Sequence, residues 1–266
     1  MFANALQTRR VIVVGYNNTD TTAAGAGGMM FGSSFINIAE GSANKVNLCD
    51  LKVARAGSGS SYYIAGGVSL QILNDNGTTK KTYYWFYNRT HGEKSGTEGW
   101  YTDFSGAADT LVTPESGVTF KSGDGFWLTG GQKLVSSSGA VLTGTQVAID
   151  STSAGTGGMI IVNPYPVAVD LADITVEREG SGSSYYIAGG VSVQTLNDNG
   201  TTKATYYWFY NRTHGEKSGV EGWYTDFSGA ATTLVTKESN IKLQPGEGYW
   251  LTGASKTLKF PALNVQ

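Results

Sequence analysis

The stretch TYYWFYNRTHGEKSGTEGWYTDFSG, residues 82–106, returns as TYYWFYNRTHGEKSGVEGWYTDFSG at residues 205–229. It is the centre of a longer repeat, because residues 57–113 match residues 180–236 at a constant offset of 123 with five differences. The differences are Leu70/Val193, Ile72/Thr195, Lys81/Ala204, Thr97/Val220 and Asp109/Thr232. Such self-similarity indicates a tandem duplication. The sequence therefore predicts two units, residues 1–143 and 144–266, each large enough to bury its own core.

Both units also open alike. DTTAAGAGGMM at residues 20–30 aligns with DSTSAGTGGMI at residues 150–160, here at an offset of 130. The offset changes because the first unit carries seven extra residues within residues 31–45. The glycines in these segments could suggest a phosphate-binding loop, but no Lys-Ser/Thr pair follows them, so a loop or bulge is the better interpretation.

The local patterns indicate an all-β fold. Asn-Gly pairs at residues 76–77 and 199–200 lie between short alternating runs, which is a strong hairpin signal. Residues 11–16 (VIVVGY) are expected to form a strand buried on both faces, and residues 133–143 and 256–265 are expected to close the units. We predict two tandem β-sandwich-like or partly closed barrel domains.

Charge and cysteine content exclude several classes. The net charge is −2 and the basic residues are scattered, which disfavours binding to nucleic acid or to an anionic membrane surface. No apolar window is long enough for a membrane span. Cys49 is the single cysteine and is expected to be a buried small hydrophobe. Ala3 and Ala5 have the spacing of a signal-peptidase site, so we expect a secreted or cell-surface protein.

Residues that could carry chemistry are few. His91 and His214 lie in His-Gly-Glu-Lys but lack the cysteines of a zinc deaminase site. Residues 74–78 offer oxygen ligands without the distal carboxylate of a calcium loop. Glu98 with Asp103, and their copies Glu221 with Asp226, flank a tryptophan as glycosidase carboxylates would, although acidic residues beside a surface strand are common. The sequence predicts no catalytic residue, no metal site and no cofactor.

Aromatic residues are the most informative candidates for binding. In the YYWFY segments, residues 83, 85 and 87 share one strand face and residues 84 and 86 the other. An exposed face would form a platform for stacking sugar rings, whereas a face buried on both sides would belong to a sandwich core. The candidate platform residues are Trp85, Tyr87, Trp100, Tyr101, Trp208, Tyr210, Trp223 and Tyr224. Trp127 and Trp250 are instead expected to hold a tight turn against the core.

Several motifs together resemble a group of secreted, uncharacterised β-rich repeat proteins of host-associated bacteria. They are the Gly-Tyr opening strand at residues 15–18, the NDNG hairpin, YYWFY, EGWY, and G-[DE]-G-[FY]-W-L after Ser122 or Pro245. The resemblance covers nearly the whole chain. It implies an extracellular location and a repeat architecture, and it brings no activity with it.

Three functions are compatible with these features. The first is a non-enzymatic extracellular structural protein, such as a subunit of a surface layer, fibre or adhesive assembly. Its partners would be copies of itself, joined through terminal strands or sheet edges. The alternative is a bivalent carbohydrate-binding module that uses the eight aromatic residues, with glycans as partners. The third is a hydrolase that uses the paired carboxylates.

Overall fold

A computed structural model describes residues 14–20, 27–37, 45–54, 68–74, 78–87, 97–130, 134–150, 157–177, 190–197, 201–210, 220–253 and 256–264. Within these ranges the fold is all-β, as predicted, and helical structure is limited to three-residue 3-10 turns. These turns are Leu48–Asp50, Ala108–Thr110, Pro114–Ser116, Leu171–Asp173, Ala231–Thr233 and Lys237–Ser239. No helix in the described ranges has the length and apolar character needed to cross a membrane.

The two units contain the same series of strands. The strands of the first unit are β1 Val14–Asp20, β2 Met29–Phe31, β3 Lys45–Asn47, β4 Leu51–Val53, β5 Ser69–Leu73, β6 Thr79–Phe86, β7 Gly99–Tyr101, β8 Thr119–Lys121, β9 Phe126–Thr129 and β10 Leu134–Ala140. The strands of the second unit are β11 Ala148–Asp150, β12 Met159–Val162, β13 Val169–Asp170, β14 Thr175–Val176, β15 Ser192–Leu196, β16 Thr202–Phe209, β17 Gly222–Tyr224, β18 Lys242–Leu243, β19 Gly248–Thr252 and β20 Thr257–Lys259.

Each unit pairs its strands in the same order. The first unit has a five-stranded sheet β2-β9-β5-β6-β7, a three-stranded sheet β1-β10-β4 and the pair β3-β8. The second unit has β12-β19-β15-β16-β17, β11-β20-β14 and β13-β18. All the named pairings are antiparallel, and none of these sheets is closed. The arrangement is therefore that of a sandwich rather than a barrel.

The core of each unit lies between its five-stranded and three-stranded sheets. In the first unit, Leu51 and Val135 from the smaller sheet pack with Leu70, Trp85 and Leu128 from the larger one. The second core uses the equivalent residues, among them Ile174, Trp208, Leu251 and Leu258. Burial on this scale is the main source of stability for domains of this size.

The hairpin around residues 74–78 is confirmed, because β5 and β6 pair antiparallel from Ser69↔Tyr84 to Leu73↔Thr79. The prediction for the first strand is wrong in its end and in its burial. The described part of β1 runs from Val14 to Asp20, four residues beyond the predicted end, and its side chains alternate, with Val14 and Tyr16 62% and 64% exposed. This alternation leaves one face of β1 in solvent, and among the described strands β1 pairs only with β10, so it lies at a sheet edge. Residues 11–13 lie outside the described ranges. The closing strand of the second unit is shorter than predicted, at Thr257–Lys259.

The two units meet through reciprocal backbone contacts. Phe31 forms an antiparallel bridge with Glu247, and the equivalent residues Ile161 and Asp124 form another. The backbone N–H of Gly32 donates to the carbonyl of Gly246 at 3.3 Å. In the same way, the N–H of Val162 donates to the carbonyl of Gly123 at 2.9 Å. Reciprocity of this kind is expected of two units related by an approximate twofold axis.

Candidate functional site

The eight aromatic residues predicted as a sugar-stacking platform lie largely in the cores. Trp85, Trp100, Trp208 and Trp223 are 3%, 1%, 5% and 0% exposed. Tyr101 and Tyr224 are fully buried, and the half-buried Tyr87 and Tyr210 direct their hydroxyls to the backbone carbonyls of Ala54 and Glu177. A buried ring has no face for a ligand. The core alternative therefore holds for the four tryptophans, Tyr101 and Tyr224, whereas Tyr87 and Tyr210 are only partly covered.

Packing and hydrogen bonding explain this burial. The two tryptophans of each unit contact each other edge to face, with ring centroids 5.2 Å apart for Trp85 and Trp100 and 5.3 Å apart for Trp208 and Trp223. The indole N–H of Trp100 donates to the carbonyl of Leu51 at 2.8 Å, and that of Trp223 donates to Ile174 at 2.7 Å. These bonds join the two sheets of each sandwich. The tryptophans predicted to form a platform thus stabilise the packing of the two sheets.

Two of the four candidate carboxylates, Asp103 and Asp226, stabilise local turns. The carboxylate of Asp103 accepts hydrogen bonds from the backbone N–H and the hydroxyl of Ser105, and Asp226 does the same with Ser228. These bonds, led by the one from the serine hydroxyl, lower the pKa of both carboxyl groups. Within the described ranges no group of three or more His, Cys, Asp or Glu could hold a metal ion. His91 and His214 lie outside those ranges.

A different pair of tryptophans lies on the outer face of the large sheets. In β9, Phe126 and Leu128 are buried in the core, so Trp127 between them points away from it and is half-exposed. Across the strands, Trp127 pairs with Met30 on β2 and with Gln71 on β5. In the second unit, Trp250 pairs in the same way with Ile160 and Gln194.

A glycine supports each of these indoles. Gly28 has φ of +110°, and a Cβ placed there would lie 2.5 Å from Nε1 of Trp127. Gly158 has φ of +142°, and a Cβ placed there would lie 2.5 Å from Nε1 of Trp250. The indole N–H of Trp127 donates to the carbonyl of Gly27 at 3.1 Å. The glycine-rich segments are thus loops that pack directly against the two indoles, which agrees with the loop interpretation. The expectation that these tryptophans hold a turn against the core is wrong, because both indoles lie on the outer face of their sheets.

These tryptophans line a cavity of about 390 Å³ that both units form together. The two units contribute equivalent side chains to it: Gln71, Leu73, Thr79 and Trp127 from the first, and Gln194, Leu196, Thr202 and Trp250 from the second, with Met30. The hydroxyl of Thr79 donates to the side-chain carbonyl of Gln71 at 3.1 Å. That bond orients the amide of Gln71, and none of the described residues that line this central cavity is ionisable.

Two further cavities adjoin the central one, and together the three form what we call the inter-unit groove. One, of about 360 Å³, shares Met30, Trp127 and Leu196 with the central cavity. The other, of about 500 Å³, shares Leu73 with it. The two flanking cavities are lined by largely equivalent residues of opposite units, which again reflects the approximate twofold relation.

Charge is confined to the flanks of the groove. Each flanking cavity has one exposed lysine, Lys203 or Lys80, and one carboxylate, Glu247 or Asp124. Burial raises the pKa of Asp124, although its carboxylate accepts a hydrogen bond from the backbone N–H of Lys121 at 2.9 Å. Burial also raises the pKa of Tyr249, whose hydroxyl donates to Glu247 at 3.0 Å. Each flank therefore offers hydrogen-bond donors and acceptors, among them one basic and one acidic side chain.

Comparison of the chain with protein-family models, with curated proteins and with solved structures found no match. The sequence did carry a signal for the groove tryptophans, because alternation within Phe126-Trp127-Leu128 places the indole opposite two apolar neighbours. What no periodicity could indicate is that the two units would bring these indoles to one cavity.

Proposed function

We propose that this protein is a non-enzymatic extracellular binding protein whose inter-unit groove holds an uncharged carbohydrate chain. The observation that carries the proposal is the pairing of Trp127 and Trp250 in one cavity whose described lining residues supply amides and hydroxyls and include no ionisable group. Indole rings pack against the apolar faces of sugars, while amides and hydroxyls hydrogen-bond to the sugar hydroxyls. A neutral centre is suited to a neutral ligand.

A carbohydrate fits the groove better than an extended peptide does. Peptides commonly bind sheet proteins by adding a strand to an exposed edge. Among the strands that line the central cavity, only β2, which carries Met30, is at a sheet edge, and its Phe31 already bridges to Glu247. β9 lies between β2 and β5, and β5 lies between β9 and β6. β19 and β15 are interior strands in the same way. Recognition must therefore come from side chains, which favours a ligand rich in hydroxyls.

The proposal replaces two sites per chain with one. The sequence suggested a bivalent module, with one aromatic platform in each unit. The central cavity instead takes half of its lining from each unit. A single chain should therefore bind one oligosaccharide, with a stoichiometry of 1:1 rather than 2:1.

Removal of either groove tryptophan should weaken binding about tenfold, on the order of 1.4 kcal/mol, because a stacking surface is lost. We suggest titration calorimetry of the wild type, Trp127→Ala and Trp250→Ala with neutral gluco-, xylo-, manno- and galacto-hexasaccharides. One hexasaccharide should bind the wild type with 1:1 stoichiometry. Tyr16→Ala is a matched control, because this aromatic residue is 64% exposed and lies outside the groove.

The proposal is wrong if no hexasaccharide binds to the wild type, or if both tryptophan variants bind as tightly as Tyr16→Ala does. Binding of unstructured peptides at the groove, lost in the same two variants, would also contradict it. Unfolding midpoints of the variants should be measured alongside, since Trp127 holds the loop at Gly27.

Self-assembly is a second candidate function, favoured by the edge strand β1. β1 exposes Val14 and Tyr16 and pairs with β10 alone among the described strands. Such an edge is a template for pairing with another copy of the chain. Both β1 and β20 are already paired within the chain, so pairing would extend the β1 edge rather than donate a terminal strand.

If β1 mediates assembly, the mean mass from light scattering should rise with protein concentration. The double variant Val14→Lys/Tyr16→Lys should remain monomeric over the same range, because lysines on an edge strand oppose pairing. Val220→Lys is a control for charge alone, since Val220 is 56% exposed and lies outside β1. A wild-type mass that does not change with concentration would exclude this candidate.

A further inference from the structure

Two of the five differences between the repeats form a single cross-strand pair. Ile72 lies opposite Lys81 in the first unit, and Thr195 lies opposite Ala204 in the second. Thr195 and Ala204 line the 360 Å³ cavity, and Ile72 lines the 500 Å³ cavity. Differences that are rare across the repeat thus meet at the two flanks of the groove.

The Lys81/Ala204 difference changes access to a tyrosine. In the first unit the ammonium of Lys81 lies 5.1 Å from the ring centroid of Tyr83, which is 3% exposed. In the second unit the equivalent Tyr206 is half-buried and lines the cavity beside Ala204. No hydrogen bond of the Tyr206 hydroxyl is made within the described ranges. Its hydroxyl is therefore available to a ligand.

A second pair of equivalent residues, Tyr249 and Phe126, also gives the flank with Tyr206 an additional hydroxyl group. The second unit has Tyr249, whose hydroxyl accepts a hydrogen bond from the backbone N–H of Gln244 at 2.7 Å and donates one to the carboxylate of Glu247. The first unit has Phe126 in that place, stacked edge to face on Phe120 with centroids 4.4 Å apart. Each flank has one lysine and one carboxylate, but only the flank with Tyr206 also has two tyrosine hydroxyls, where the other flank has the rings of Phe120 and Phe126. The centre between the flanks is nearly symmetric.

We propose that the cavity beside Tyr206 is a polar end subsite for sugar hydroxyls, and that it makes the groove bind its ligand in one direction. This inference rests on the proposed function. A polysaccharide chain differs at its two ends, and a symmetric groove would accept it in either orientation. Tyrosine hydroxyls at one flank and phenylalanine rings at the other give the two orientations different free energies.

Methionine methyl groups report the orientation directly. Met29 lines the flank with Tyr206, and Met159 lines the flank with Phe126. The chain has four methionines, so methyl-labelled protein gives a simple NMR spectrum. The tightest-binding hexasaccharide from the calorimetric panel, carrying a nitroxide at its reducing end, should broaden the methyl signal of one of these residues and leave the other sharp. Equal broadening of both would overturn the inference.

A pair of variants taken from the repeat itself tests the role of the subsite. Ala204→Lys should cover Tyr206 as Lys81 covers Tyr83, and we expect hexasaccharide affinity to fall about fivefold while affinity for the corresponding trisaccharide is unchanged. Lys81→Ala is the matched control and should leave hexasaccharide affinity within twofold. Unchanged hexasaccharide binding by Ala204→Lys overturns the inference alone. Absence of any binding by the wild type overturns the proposed function and this inference with it.

Discussion

Trp223→Ala should lower the free energy of unfolding by about 3–5 kcal/mol, the range found when a buried aromatic side chain is truncated. Trp223 is 0% exposed, packs edge to face on Trp208 and donates its indole N–H to the carbonyl of Ile174. The substitution leaves a cavity between the two sheets and removes the donor to a buried carbonyl. The chain should remain folded only if its total stability exceeds this loss.

Phenylalanine variants separate the hydrogen bond from the packing. Trp223→Phe keeps a ring but removes the N–H donor to the carbonyl of Ile174. The unsatisfied carbonyl should lower the free energy of unfolding by about 1–3 kcal/mol. Trp208→Phe removes a buried N–H that has no acceptor within the described ranges. Trp208→Phe should therefore be the milder change, by about 1 kcal/mol. Trp100→Phe and Trp85→Phe repeat the same contrast in the first unit.

Urea unfolding followed by circular dichroism measures these differences. The core interpretation predicts a large shift of midpoint for Trp223→Ala, with sugar binding by any remaining folded protein unchanged. If Trp223→Ala kept the wild-type midpoint and lost only sugar binding, the tryptophan would have to be a ligand contact instead. A midpoint of Trp208→Phe below that of Trp223→Phe would contradict the role assigned to the bond with Ile174.

The fold was largely predictable because it depends on local patterns. The Asn-Gly pair at residues 76–77 and the alternating runs beside it determine the β5–β6 hairpin, and the repeat requires the same hairpin at β15–β16. Burial of the YYWFY segment was harder to predict. Both faces of that strand are aromatic, and periodicity does not distinguish a face covered by a second sheet from one in solvent.

The groove could not be predicted from sequence, because it depends on how two similar units pack. Its closest backbone contacts involve glycines whose role is invisible in a local pattern. A Cβ at Gly125 would lie 2.3 Å from Cγ2 of Ile160, and one at Gly248 would lie 2.6 Å from Cβ of Met30. The sequence motif Gly-x-Gly-aromatic-Trp suggested a tight turn. In the structure its second glycine is the point where the other unit approaches.

Gly248→Ala should therefore destabilise the contact between the units. The added methyl would meet the carbonyl carbon of Met30 at 2.8 Å and the backbone nitrogen of Phe31 at 2.9 Å, so backbone must move. Overpacking of this kind costs about 1–3 kcal/mol. The bridge between Phe31 and Glu247 lies beside the substitution, and Met30 lines the central cavity. We expect loss of hexasaccharide binding together with a lower unfolding midpoint.

Gly117→Asn is the control for glycine replacement in general. Gly117 has φ of +64° with no atom within 4 Å of the place a Cβ would occupy, and the second unit has Asn240 at the equivalent position with φ of +53°. Asparagine tolerates this backbone conformation, so the free energy of unfolding of the variant should lie within about 0.5 kcal/mol of the wild-type value. Because Gly248→Ala strains the junction and, among the residues of the first core, directly displaces only Phe31, its urea transition should broaden or divide into two. A single transition at the wild-type midpoint, with hexasaccharide binding retained, would show that the close approach at Gly248 does not hold the groove together.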